Sequence, residues 1–114
     1  MKNFVQPGDT VVVAAPAAVN SGDGVVVGAI FGVAVNGAAN GADVPIKTMG
    51  VFDLPKAGGD AFAVGDRVYW SAGANECTAT ATGNYPIGTA VAAAAGGDAT
   101  VRVRLDGIAT VPAA

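Results

Sequence analysis

Side chains able to do chemistry are few in this chain, and their spacing restricts them further. Eight aspartates and Glu76 make up the acidic set of nine, so paired carboxylates and calcium loops come first. No Asp-x-Asp-x-Asp-Gly run occurs, and the nearest arrangement, Asn20-Ser21-Gly22-Asp23-Gly24, lacks the later bidentate glutamate of a calcium loop. Histidine is absent, which removes histidine base catalysis, histidine metal ligation and a histidine pH switch. Cys77 is the single cysteine, so it has no disulfide partner and no neighbour with which to build a zinc site or a Cys-His nucleophile. Ser21 and Ser71 are the two serines, leaving a Ser-Lys pair as the remaining nucleophile arrangement. No lysine follows a glycine, so a phosphate-binding Gly-x-x-x-x-Gly-Lys-Ser/Thr loop is excluded. Arg67-Val68-Tyr69-Trp70 is the one place where a base or sugar ring could be stacked and its phosphate paired. Strand alternation sets Arg67 and Tyr69 on one face and Val68 and Trp70 on the other, so at least one aromatic belongs to the core.

The elements that must position these groups are short. The 114 residues include 25 Ala, 18 Val and 17 Gly but only 15 of Leu, Ile, Met, Phe, Tyr and Trp together. Each element therefore brings shallow apolar bulk against a backbone ordering cost of roughly 1–2 kcal/mol per residue. Such a domain is expected to gain from a partner subunit or surface. The net charge of −3 and the scattered basic residues offer no phosphate-binding stripe, so no nucleic acid is expected. No run approaches the length of a membrane span, and the first residues do not read as a signal peptide. No cofactor and no metal are expected, and a reducing cytosol is the default compartment for the lone thiol.

Glycine and proline punctuate the chain so often that no long helix is expected. Thr10–Ala14 reads as a first strand, and Val25–Val35 as a long one divided by internal glycines at a bulge or bend. Asp43–Leu54 is a further extended segment. Arg67–Ser71 and Glu76–Thr80 flank a four-residue hairpin loop, Ala72-Gly73-Ala74-Asn75. Tyr85–Val91 and Thr100–Leu105 complete the set, the last with Arg102 and Arg104 on one face and Val101, Val103 and Leu105 on the other. Thr89–Ala95 reads either as a two-turn helix or as a strand running into a loop. The pairs Gly8-Asp9, Gly22-Asp23, Gly59-Asp60, Gly65-Asp66 and Gly97-Asp98 are expected to be turns that lead into strands. Their irregular spacing argues against a solenoid of fixed period. The expected fold is all-β, a small single-domain barrel or sandwich of about seven or eight short strands.

This reading divides the chain into an extended N-terminal arm (1–8), a β domain (9–106) and a C-terminal tail (107–114). Lys2, Asn3, Phe4, Val5, Gln6 and Pro7 place Phe4-Val5 ahead of a proline, which fits a strand that adds to another sheet edge.

The order of segments has a resemblance. Lys2–Thr10, Ser21–Gly28 leading to Phe31–Ala34, Gly50–Lys56, Val64–Trp70, Ile87–Ala90 and Gly97–Leu105 together resemble a family of small tailed-phage and prophage capsid cement, or head-decoration, proteins. Members have often been described as recombinase-like, a label that the missing phosphate loop contradicts for this chain. The resemblance implies an all-β, non-enzymatic protein on the outer surface of the virion capsid, made in the host cytoplasm and reinforcing the head against internal DNA pressure. It implies the major capsid protein as partner and homotrimers at local three-fold axes, with dimers at two-folds as the other arrangement. Lys2–Pro7 then become the expected capsid-binding arm. A carbohydrate- or nucleotide-binding β module using the Arg67/Tyr69 face is the rival reading.

Overall fold

The structure, a computed structural model, is described over residues 8–107 and 109–110. Nine strands and no helix occur among these residues: β1 (Thr10–Ala14), β2 (Gly24–Val27), β3 (Ile30–Ala34), β4 (Asp43–Lys47), β5 (Met49–Pro55), β6 (Arg67–Ser71), β7 (Glu76–Thr78), β8 (Tyr85–Ala90) and β9 (Thr100–Asp106). They form two antiparallel sheets, ordered β1-β4-β3-β2 and β5-β9-β8-β6-β7. The second curls toward closure, because Cys77 of β7 bridges to Lys56 just beyond β5 and its carbonyl accepts the Ala57 N–H at 2.8 Å.

The division within Val25–Val35 is a hairpin: Val27 pairs with Ile30 across the two-residue loop Gly28-Ala29. Gly28 has φ +57°, the left-handed conformation that such loops require at their first position and that glycine adopts without strain. Asp43–Leu54 is two strands rather than one. Thr48 sits between them, its N–H bonded to the Asp9 carbonyl and its Oγ1 to the Gly8 carbonyl, both at 2.8 Å. Satisfied there, the chain leaves the first sheet and enters the second. Thr89–Ala95 resolves as the end of β8 followed by a loop, in which Ala94 bridges to Phe62.

The two sheets are one design used twice. In each, the strands are joined in the same way: β1, β2, β3 and β4 correspond to β5, β6, β8 and β9, with β7 inserted in the second copy. The backbone bonds repeat position by position. Ala15 N–H to Ala42 matches Lys56 N–H to Ala99, Gly22 to Ala34 matches Gly65 to Ala90, and Val35 to Pro45 matches Val91 to Arg102. The bridge Val19–Ala38 corresponds to Phe62–Ala94. Asn20–Asp23 and Ala63–Asp66 are matching turns, closed from both sides: each aspartate N–H bonds the carbonyl three residues back, at 3.1 Å, and its carboxylate accepts that residue's N–H at 2.9 and 2.8 Å. Gly22 and Gly65 hold the position before it at φ +91° and +92°, where a side chain would be strained.

Each repeat has its own core. Val25, Ala34, Val44 and Ile46 in the first occupy the places of Val68, Ala90, Val101 and Val103 in the second. The second core is larger because Phe52, Leu54, Phe62 and Trp70 stand where Val11, Val13, Val19 and Val27 stand in the first. The sheets are joined where Phe31 and Val33 turn into that larger core, with the Phe31 and Trp70 rings 5.2 Å apart. One buried position changes character: Ala15 becomes Lys56, whose ammonium donates to the carbonyls of Ala57 (2.9 Å), Asp60 (2.6 Å) and Gly96 (3.1 Å). Three acceptors satisfy all of its donors, which is what a desolvated ammonium requires.

Candidate functional site

The groups singled out for chemistry serve the fold. The Ser21 hydroxyl donates to the Val35 carbonyl at 2.9 Å, and Ser71 Oγ accepts the Ala74 N–H within the predicted hairpin loop. Cys77 is fully buried, and burial first, then the neighbouring Glu76 charge, pushes its thiol up to about 12, far from a reactive thiolate. Among the described residues no three His, Cys, Asp or Glu side chains gather to hold a metal, and no helix is long and apolar enough to cross a membrane.

Alternation on β6 is as expected: Val68 and Trp70 are buried, Arg67 is exposed and Tyr69 half-buried. Arg67 and Tyr69 line none of the three main clefts. The roomiest, about 430 Å³, lies instead beside β2, between Pro16, Val19 and Trp70. Lys2–Pro7 lie outside the described residues. Their attachment point is described: Gly8 is held by Thr48 at the start of β1.

Two carboxylates titrate away from their ordinary values. Asp60 accepts the Thr78 hydroxyl at 2.7 Å and the Ala79 N–H at 3.0 Å, and these bonds, in that order, hold its carboxyl below the usual range against a smaller desolvation effect. Asp53 is lowered first by its hydrogen bond to Arg102, whose Nε lies 2.9 Å away. Lowered folded values mean that this stability is complete above the unfolded carboxylate range, near pH 4, and is lost as pH falls through the folded values. Thermal melts between pH 7 and pH 2.5 should therefore show a fall in Tm on acidification that is smaller in Asp60→Asn. A Tm difference between the two proteins that does not change with pH would contradict the assignment.

The internal repeat exposes a feature that sequence patterning missed. On the outward face of the first sheet Val12 pairs with Pro45, and Val35 donates its N–H to Pro45 at 3.0 Å. Val12 is 63% exposed and Val35 41%. The corresponding positions in the second sheet hold Asp53, Arg102 and Val91, the first two in an ion pair. At these positions one repeat carries an ion pair, whereas the other leaves Val12 and Val35 in water. The available signal was the run Val11-Val12-Val13, in which alternation forces the middle valine outward.

No curated protein and no solved structure matches the chain. A family model does: the one described as phage cement protein covers residues 5–105, both repeats and the strand β7 inserted in the second. On that match, and with an all-β body that carries an uncovered apolar strip, the chain belongs to the phage cement protein family.

Proposed function

We propose that this chain decorates the outside of an assembled phage head as a homo-oligomer, bound to the major capsid protein, and stiffens the shell without catalysing any reaction. The observation that carries the reading is the strip Val12-Pro45-Val35, left uncovered on one repeat while its twin carries the Asp53–Arg102 pair. Exposed apolar surface of this kind is kept where another surface covers it. The arm Lys2–Pro7 ties each body to its neighbours on the shell, and many weak contacts made together give the hold. Homotrimers at local three-fold axes fit this role best. A ligand-binding module at Arg67/Tyr69 has less support, since those side chains line none of the three main clefts.

The test is co-sedimentation of the purified protein with expanded heads. Val12→Asp should weaken binding about tenfold or more, the scale of losing one well-packed interface anchor. Circular dichroism and melting temperature should stay unchanged, because Val12 touches neither core. Undiminished binding by a folded Val12→Asp protein would show that the strip does not face the shell.

A further inference from the structure

We propose that the cleft beside β2 is a vacant strand position, filled in the oligomer by the arm of a second copy of this chain. The internal repeat supplies the template. In the second repeat β7 lies on the outer edge of β6, with Trp70 opposite Cys77 and Tyr69 opposite Thr78, and it closes against Lys56 and Ala57. In the first repeat β2 stands for β6 and Ala15-Pro16 for Lys56-Ala57, but the tight Gly28-Ala29 turn leaves no room in the chain for a counterpart of β7. Among the described residues no strand pairs with the outer edge of β2. The 430 Å³ cleft is found there, walled by Pro16 and Val19, by Gly24 to Val26 of β2, and by Trp70. A groove with an open backbone edge on one wall and apolar side chains on the other takes an extended peptide.

The arm fits this place by composition, and a second copy fits it by direction. Asn3-Phe4-Val5-Gln6 supplies a short strand with apolar bulk and no acid to oppose Asp23, the charged residue of the cleft. Pro7, lacking an N–H, suits the end of a strand. A strand in the polarity of β7 runs antiparallel to β2, entering beside Gly28 and leaving beside Gly24. Gly8 lies at the entering end, where it lines a second cleft with Ala29 and Ile30. A chain's own arm, running toward its own Gly8, would meet the slot in the wrong direction. Residues 1–7 reach at most about 25 Å when extended, too little to traverse the slot and double back. An arm from a second copy has no such constraint, and head-to-tail donation closes a ring.

This rests on the arm having the tying role proposed above, and it names the acceptor. The experiment uses full-length chains that keep the buried Cys77. Gln6→Cys protein is mixed with isotopically heavy Ala18→Cys protein and oxidised, and disulfide-linked species are identified by mass spectrometry. Light–heavy links between Cys at 6 and Cys at 18 are expected. Their absence, or ring closure within single chains of the double variant, overturns the proposal. Ala18→Trp, which fills the cleft from an exposed position, should shift native mass spectra from oligomer to monomer with an unchanged melting curve; a persistent oligomer overturns it too. On heads, a link from position 6 to the capsid protein in place of position 18 would overturn the acceptor and leave decoration standing. Copies that cross-link in solution yet fail to bind heads would leave the acceptor standing and remove decoration.

Discussion

Deleting residues 1–8 is expected to leave a folded β body that no longer binds expanded heads. The body should survive because both cores are built from residues beyond the cut: the first begins at Val11 and the second draws nothing earlier than Val26. What the deletion removes from the described structure is the Gly8 carbonyl that accepts the Thr48 hydroxyl at 2.8 Å, a loss of about 1 kcal/mol. The Thr48 N–H keeps its partner, the Asp9 carbonyl. Binding should fail for a different reason. Without the arm each body holds the shell alone, and the loss of linked attachment lowers overall affinity about 10²–10⁴-fold without any change in the remaining contacts. Circular dichroism and melting report on the body, and co-sedimentation reports on binding. A deletion of residues 1–7, which retains Gly8, separates the arm from its anchor: it should melt like the intact chain and still fail to bind. Undiminished binding by either truncated protein would sink the role given to the arm.

Much of the fold was legible because period-2 alternation and glycine turns act locally. Thr100–Asp106 alternates exposed and buried along its whole length, as the Arg102/Arg104 and Val101/Val103/Leu105 pattern requires. The Ala72–Asn75 loop is where the flanking strands place it, with Asn75 at φ +55°. Sequence reading gives seven or eight strands and the described residues form nine, because the sheet change at Thr48 is enforced by bonds to Gly8 and Asp9 that no local pattern announces. The duplication was illegible for a related reason. Its matching positions drift out of step once β7 and its loops are inserted, so the irregular Gly-Asp spacing correctly excludes a fixed period while hiding a repeat of two. Side chains at equivalent places also diverge where they matter most: Val12 against Asp53, Pro45 against Arg102, Ala15 against Lys56. The candidate surfaces follow from those divergences. An outward valine is unremarkable in a strand taken alone and becomes informative only beside a twin that carries an ion pair. In the same way, the cleft at β2 gains meaning from β7, which fills the corresponding place.

Gly88→Ala is expected to cost about 3 kcal/mol or more, a large share of the about 5–15 kcal/mol that holds a domain together. A Cβ at this position would overlap the Arg104 carbonyl oxygen and lie 2.9 Å from its carbon and 3.2 Å from the Leu105 Cα. All three are backbone atoms of β9, so no side-chain rotation relieves the overlap. Gly88 also sits mid-strand, paired with Val68 on one side and Leu105 on the other, and cannot move without opening the second core. Gly32 is its counterpart in the first repeat. There a Cβ would meet Ile46 Cδ1 and the Lys47 oxygen, both at 2.9 Å; the isoleucine tip can turn away although the carbonyl cannot, so Gly32→Ala should cost less, about 1–3 kcal/mol. Gly73 has nothing within 4 Å, and Gly73→Ala should change stability by no more than about 0.5 kcal/mol. Urea denaturation of the three variants should rank them in that order, and equal stability of Gly88→Ala and Gly73→Ala would refute the close approach of β8 to β9. The ranking also bears on decoration, because Gly88→Ala should lower the melting temperature and lose head binding only where its body melts, so that melting and binding fail together. Val12→Asp should fail in binding with melting untouched, and that contrast separates a surface that meets the shell from a scaffold that holds the surface in place.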